Sequence, residues 1–242
     1  MNVQDELNEL YRRFTDIDLV RTVCGGAEAA EAMTQEVDGP FLIKSRMEYE
    51  QSPLKLVIIG QENDGWIGPY KEFLETKTLA EAIQLYDDFE LERSHNTTFF
   101  RYFAEIRNNI SPSALPNRRE ALWLNLFKFN QGMSPQMIES NYREQVLQLQ
   151  GDVFQKEIAL LKPQVVVFLT GPYYDPIIRR FYPGMQIASV EERPTNQLAR
   201  IVHDQLPDAC FRTYHPSYLN RSRGKTADCL PTIYRAVKKS LE

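Results

Sequence analysis

Two stretches of this 242-residue chain concentrate side chains able to do chemistry. One is His215-Pro216-Ser217-Tyr218-Leu219-Asn220-Arg221-Ser222-Arg223-Gly224, a polar loop closely following the apolar run Ala209 to Tyr214. It sets an imidazole, a hydroxyl, a protruding Leu and two guanidiniums at the end of a predicted strand. Arg221, Arg223 and Lys225 put three cations into five positions, a local patch able to contact phosphates. A solvated turn is the alternative for such a cluster. The other stretch is Gln61-Glu62-Asn63-Asp64, which follows the apolar run Leu54 to Ile59. Its two carboxylates stand two residues apart, so Asp64 can replace Glu62 or raise its pKa by repulsion. A single amide, Asn125, interrupts the apolar run Ala121 to Phe127, where a buried strand tolerates such a group only with a partner.

These residues need elements to hold them, and the pattern supplies four short apolar strands separated by helices. Leu54 to Ile59 ends at Gly60 and reads as a strand buried on both faces, and Ala121 to Phe127 is the second. Ser140 to Leu161 has helical period and ends at Lys162-Pro163, directly before a third strand, Val165 to Leu169. Ala209 to Thr213 is the fourth. A β-hairpin around Arg193-Pro194-Thr195-Asn196 and helices over Asp175 to Phe181 and Thr226 to Leu241 complete the second half. Upstream, Leu7, Leu10, Tyr11, Phe14 and Ile17 recur at helical spacing in one opening helix, Ala27 to Gln35 forms another, and Leu79 to Tyr86 and Thr98 to Asn108 follow.

The expected fold is α/β, a three-layer αβα architecture around a central, mostly parallel four-stranded sheet. One domain spans residues 1–242, with residues 1–50 a helical N-terminal extension packed on it. Ligands of such sheets bind beyond the carboxyl ends of the strands, so Gln61 to Asp64, Asn125 and His215 to Ser217 are expected to share a crevice.

Composition narrows the classes. A net charge of -5 argues against non-specific coating of nucleic acid, which Lys and Arg would have to drive. Cys24, Cys210 and Cys229 are too few and scattered for a disulfide framework or a four-Cys cluster, and reduced thiols fit a cytoplasmic protein. Residues 1–14 lack the order of a signal peptide, and no run approaches the roughly 18 apolar residues of a membrane span. A soluble monomer without metal or cofactor is expected.

The three polar segments, in this order, resemble the uracil-DNA glycosylase superfamily. The family's first motif, a strand followed by G-Q-D-P-Y-H, is similar to Leu56-Val57-Ile58-Ile59 running into Gly60-Gln61-Glu62-Asn63-Asp64-Gly65. Its base-reading Asn on a strand corresponds to Asn125 in Leu122-Trp123-Leu124-Asn125-Leu126. Its last motif, H-P-S-P-L-S followed by Arg-Gly, is similar to His215 through Asn220 with Arg223-Gly224. The approach to the third strand, Lys162-Pro163-Gln164 and Val165 to Phe168, also looks like the family's. This likeness covers the chain from about Leu54 onward and leaves the first fifty residues unexplained.

The resemblance implies a monofunctional DNA N-glycosylase of base excision repair. Glu62, or Asp64 in its place, would orient the attacking water and stabilise an oxocarbenium-like sugar. His215 would donate to the uracil oxygen as a neutral imidazole, and Asn125 would read the base edge. Gln61 and Asn63 would line the base site, and Trp66 or Phe73 would supply the stacking ring. Leu219 would fill the stack behind the flipped nucleotide, while Ser217, Arg221, Arg223 and Lys225 would hold phosphates. The family's Pro and Tyr after the acid are Asn63 and Asp64 here, and that Tyr excludes the thymine methyl in the best-known branch, so base selectivity stays open. Two alternatives also stand. One is a family-like module that binds nucleic acid or nucleotide without cleaving it, and the other is a different hydrolase or interaction protein on the same scaffold.

Overall fold

A computed structural model describes residues 2–63, 65–89, 97–111, 119–132 and 136–241, with Arg223 described by its backbone. Asp64 therefore lies outside the described residues. The chain is α/β, and its helices and mostly parallel sheet fit a three-layer αβα architecture. Two compact units divide it: Met1–Ser45, Glu62–Phe89 and Asn125–Leu160 form the first, and Arg46–Gln61, Glu90–Leu124 and Leu161–Glu242 the second.

In the first unit, Val3–Tyr11 is capped by a reciprocal Asn2/Asp5 box. The predicted opening helix is not continuous, because a 3-10 turn over Arg12–Thr15 ends it. Asp16 then starts Ile17–Cys24 by accepting the N–H groups of Asp18 (3.1 Å) and Leu19 (3.0 Å), which competes with helix continuation. The helix predicted over Ser140 to Leu161 also divides, into Arg143–Gln150 and Val153–Leu161, at Gly151. Gly151 has φ 54°, and a Cβ there would stand 2.8 Å from the Arg13 guanidinium, whose Nε donates to Leu149 O at 2.7 Å. The positive φ is what favours glycine here. Around these helices Phe14, Tyr70 and Phe129 pack edge to face, with Phe14–Phe129 centroids at 5.5 Å and Tyr70–Phe129 at 4.9 Å.

The second unit holds the sheet. Among the described residues it has six strands, β1 Leu56–Gly60, β2 Ala121–Asn125, β3 Val165–Phe168, β4 Gln186–Ser189, β5 Leu198–Val202 and β6 Ala209–Thr213, in the order β2-β1-β3-β6-β5-β4. Asn125, the last residue of β2, belongs to the first unit. β1, β3 and β6 run parallel, in registers Leu56↔Val165 to Ile59↔Phe168 and Val165↔Ala209 to Phe168↔Arg212. Their side chains are buried throughout, which is why they read as unbroken apolar runs. The expected four strands become six because the predicted hairpin joins the sheet: β4 pairs antiparallel with β5, and β5 antiparallel with β6. β4 is largely exposed at the sheet edge and so lacks the apolar run that announces a central strand. Helix Thr98–Ile110 packs on β1 and on helix Cys229–Leu241, which also covers β6. Pro231 sits in the first turn of that last helix, where no intrahelical N–H is lost.

Candidate functional site

Within the second unit the carboxyl ends of β1, β3 and β6 are tied by polar contacts. Gln61, just past β1, donates its Nε2 to Thr170 O at 2.8 Å, beyond β3. Gly171 N donates to Thr213 O at 2.9 Å, at the end of β6. With φ 76°, Gly171 lies close enough that a Cβ would touch the His215 nitrogen and the Tyr214 ring, each at 4.0 Å. Thr170 is 1% exposed and, among the described residues, its hydroxyl has no hydrogen-bond partner.

His215 follows β6 and caps helix Pro216–Arg221. The segment predicted as a loop is thus helical, because His215 supplies the N-cap and Pro216 the preset φ of the first position. The His215 Nδ1 accepts the Ser217 N–H at 3.3 Å, so the neutral ring carries its proton on Nε2. Burial, helped by the nearby Arg221 charge, lowers its pKa to about 4. At neutral pH it is an uncharged donor. Phe99, which the sequence reading passed over, stacks on the ring with centroids 6.4 Å apart at 28°.

Leu219 does not protrude. It is 3% exposed and faces inward, lining a cavity of about 390 Å³ with Arg101, Tyr102, Thr226 and Leu230. Helical geometry turns positions 218 and 219 to different faces, so Tyr218 is the exposed apolar side chain here, at 39%. Arg221 and Lys225 are exposed, Ser217 is half-buried, and Arg223 opens a short helix, Arg223–Thr226.

The remaining sequence-predicted residues belong to the first unit. Glu62 is half-buried and its Oε2 accepts the Met137 N–H at 2.8 Å. Burial raises its carboxyl to about 7, although that bond favours the ionised form. Asn63 is 4% exposed and donates Nδ2 to Asn130 Oδ1 at 2.7 Å. Asn130 is itself set by its backbone bridge to Asp38, with N–H···O distances of 2.7 and 3.0 Å. Asn125 is wholly buried at the end of β2, as its place in an apolar run requires. Trp66 packs edge-on against Phe41 (5.1 Å) and Phe89 (5.0 Å), and Phe73 is fully buried.

The first unit thus holds a carboxyl poised near neutrality at Glu62, and the second an imidazole held neutral at His215. The Met137 backbone contact had no sequence signal, because every residue type except proline supplies an N–H. Gly171-Pro172 did carry one, having the form of a turn directly after a strand. Among the described residues no group of three or more His, Cys, Asp and Glu side chains could hold a metal ion, and no helix is long and apolar enough to cross a membrane. Neither a protein-family model nor a curated protein matches this chain.

Proposed function

We propose that this chain is a divergent member of the uracil-DNA glycosylase superfamily that flips uracil, or a related damaged base, out of DNA and hydrolyses its N-glycosidic bond. The observation that carries the reading is the state of His215. With Nδ1 occupied by the Ser217 N–H and the ring uncharged, Nε2–H is left to donate to the oxygen of a departing base. In the proposed reaction the water oxygen bonds to C1′ as the bond from C1′ to the base nitrogen breaks. Glu62 takes one water proton and its negative charge steadies the cationic sugar, while the base leaves as an anion and is protonated from solvent. Asn125 reads the base edge and Arg221, Arg223 and Lys225 hold phosphates.

Uracil-containing single- and double-stranded oligonucleotides test this directly. Abasic sites should accumulate, and Glu62→Gln and His215→Ala should each slow cleavage about 10²- to 10⁴-fold while still unfolding in a single cooperative transition. Failure of the wild-type chain to cut either substrate anywhere between about pH 5 and pH 9 overturns the reading. Asn63 favours a second reading, a module that binds without cleaving, because in the altered first motif its Nδ2 donates to Asn130. Binding that persists without cleavage and is indifferent to Glu62→Gln would select it.

A further inference from the structure

We propose that Tyr218, Tyr214 and Tyr173 form an aromatic platform that stacks the unpaired bases of a single DNA strand whose phosphates pair with Arg221 and Lys225. The proposal deepens the glycosylase reading, since it names the form of nucleic acid that would be presented to His215. All five residues belong to the second unit.

Tyr214 and Tyr218 straddle the His215 cap and lie ring on ring, with centroids 4.3 Å apart and planes inclined by 35°. Tyr218 remains 39% exposed and Tyr173 60% exposed, so both keep surface that the fold does not cover. Tyr173 stands two residues after Gly171, the glycine that approaches the Tyr214 ring and the His215 nitrogen. Exposed aromatic rings at the carboxyl ends of two adjacent parallel strands are an uncommon use of surface. Stacking of bases gives them a purpose, because every base has a π face whatever its hydrogen-bonding edge.

Charge selects nucleic acid over an apolar partner. The chain is acidic overall, yet neither Arg221 nor Lys225 has an acidic partner among the described residues. Of the acids described in this unit, Asp228 pairs with Arg193 at 2.9 Å and Glu105 accepts the Tyr234 hydroxyl at 3.3 Å. Burial of Leu219 selects a single strand over a duplex. Among the described residues, helix Pro216–Arg221 projects no aliphatic side chain to fill the stack behind a flipped nucleotide, whereas a ring surface binds bases already unpaired.

Fluorescence anisotropy of the full chain with a labelled oligothymidylate of about 12 nucleotides, beside a hairpin duplex of the same length, tests the platform. The single strand should bind more tightly than the duplex. Tyr218→Ala should weaken it on the order of tenfold, Tyr218→Phe should preserve it, and Arg221→Ala should flatten the salt dependence by about 0.7 in log–log slope. Tyr218 and Tyr173 are exposed, so both alanine variants should melt with the wild type. Equal affinity of Tyr218→Ala and Tyr173→Ala with wild type overturns the platform, as does preference for the duplex. It is also overturned if Tyr218→Ala abolishes self-association in sedimentation while DNA binding is untouched. Uracil cleavage measured alongside separates the two proposals: Tyr218-dependent binding without cleavage upholds the platform and overturns the glycosylase, and cleavage with Tyr218-independent binding does the reverse.

Discussion

Glu62 and His215 carry opposite pH signatures, and each can be measured separately. The Glu62 carboxyl is raised to about 7, from a usual value of about 4.3, because its charge is poorly solvated in the fold. Its neutral form is therefore the favoured one, so its contribution to stability is full below about pH 4.3 and is lost as pH rises through about 7. His215 is lowered to about 4, so its contribution is full above about pH 6.5 and is lost as pH falls toward 4. Thermal melts should show Glu62→Gln gaining on wild type as pH rises from about 5 to 8, and His215→Ala gaining as it falls from about 6.5 to 4. Parallel curves at all pH values would contradict both environments. For cleavage, the ionised carboxylate is the active form, so the rate should climb with pH and level off above about 7. That limb should vanish in Glu62→Gln, while titration of His215 contributes none above about pH 5.

At the scale of elements, β6 is held in place from its middle. Arg212, 1% exposed, donates Nε and Nη2 to the two Asp175 oxygens at 2.9 and 2.8 Å, and Nη2 also to Thr195 O at 2.8 Å. Asp175 begins helix Asp175–Phe181, and Thr195 lies in the β4–β5 connection, so one guanidinium ties three elements three residues before His215. Replacing Asp175 by Ala leaves that cation buried and uncompensated, a loss of about 3 to 5 kcal/mol. Urea unfolding checks the magnitude, and a midpoint within error of wild type would show the pair to be dispensable. The neighbouring helix Pro216–Arg221 illustrates how an element redefines its residues. Read as a loop, Leu219 projects, whereas in a helix it turns to the core and Tyr218 takes the surface.

At the scale of the molecule, each unit has its own interior. The first is centred on a fully buried pair, Lys128 Nζ and Glu157 Oε2 at 2.5 Å, with the Tyr11 hydroxyl donating to Glu157 Oε1 at 2.6 Å. Burial pushes Lys128 down and Glu157 up, each opposed by its partner's charge. Lys128→Met should cost about 3 to 5 kcal/mol by stranding the carboxylate, and adding Glu157→Gln should recover most of it while keeping an acceptor for Tyr11. Chemical denaturation decides: additive losses in the double variant would mean that the two charges do not depend on each other.

Wherever one local pattern dominated, the chain alone determined the outcome. Val165 to Phe168 and Ala209 to Thr213 are strands because β-branched and apolar runs of that length bury both faces, and Asp175 to Phe181 is a helix because its apolar residues fall on one side. His215, Asn125 and Glu62 were legible as candidates because each breaks an apolar context at or beyond a strand end. Only tertiary structure decided what required a distant partner. The approach of Arg13 to Gly151 joins residues far apart in the chain, the addition of β4 and β5 to the sheet depends on the free edge of β6, and the inward turn of Leu219 depends on Thr226 and Leu230. The protonation states of Glu62 and His215 belong to the same class, since desolvation is a property of the surroundings and not of the side chain.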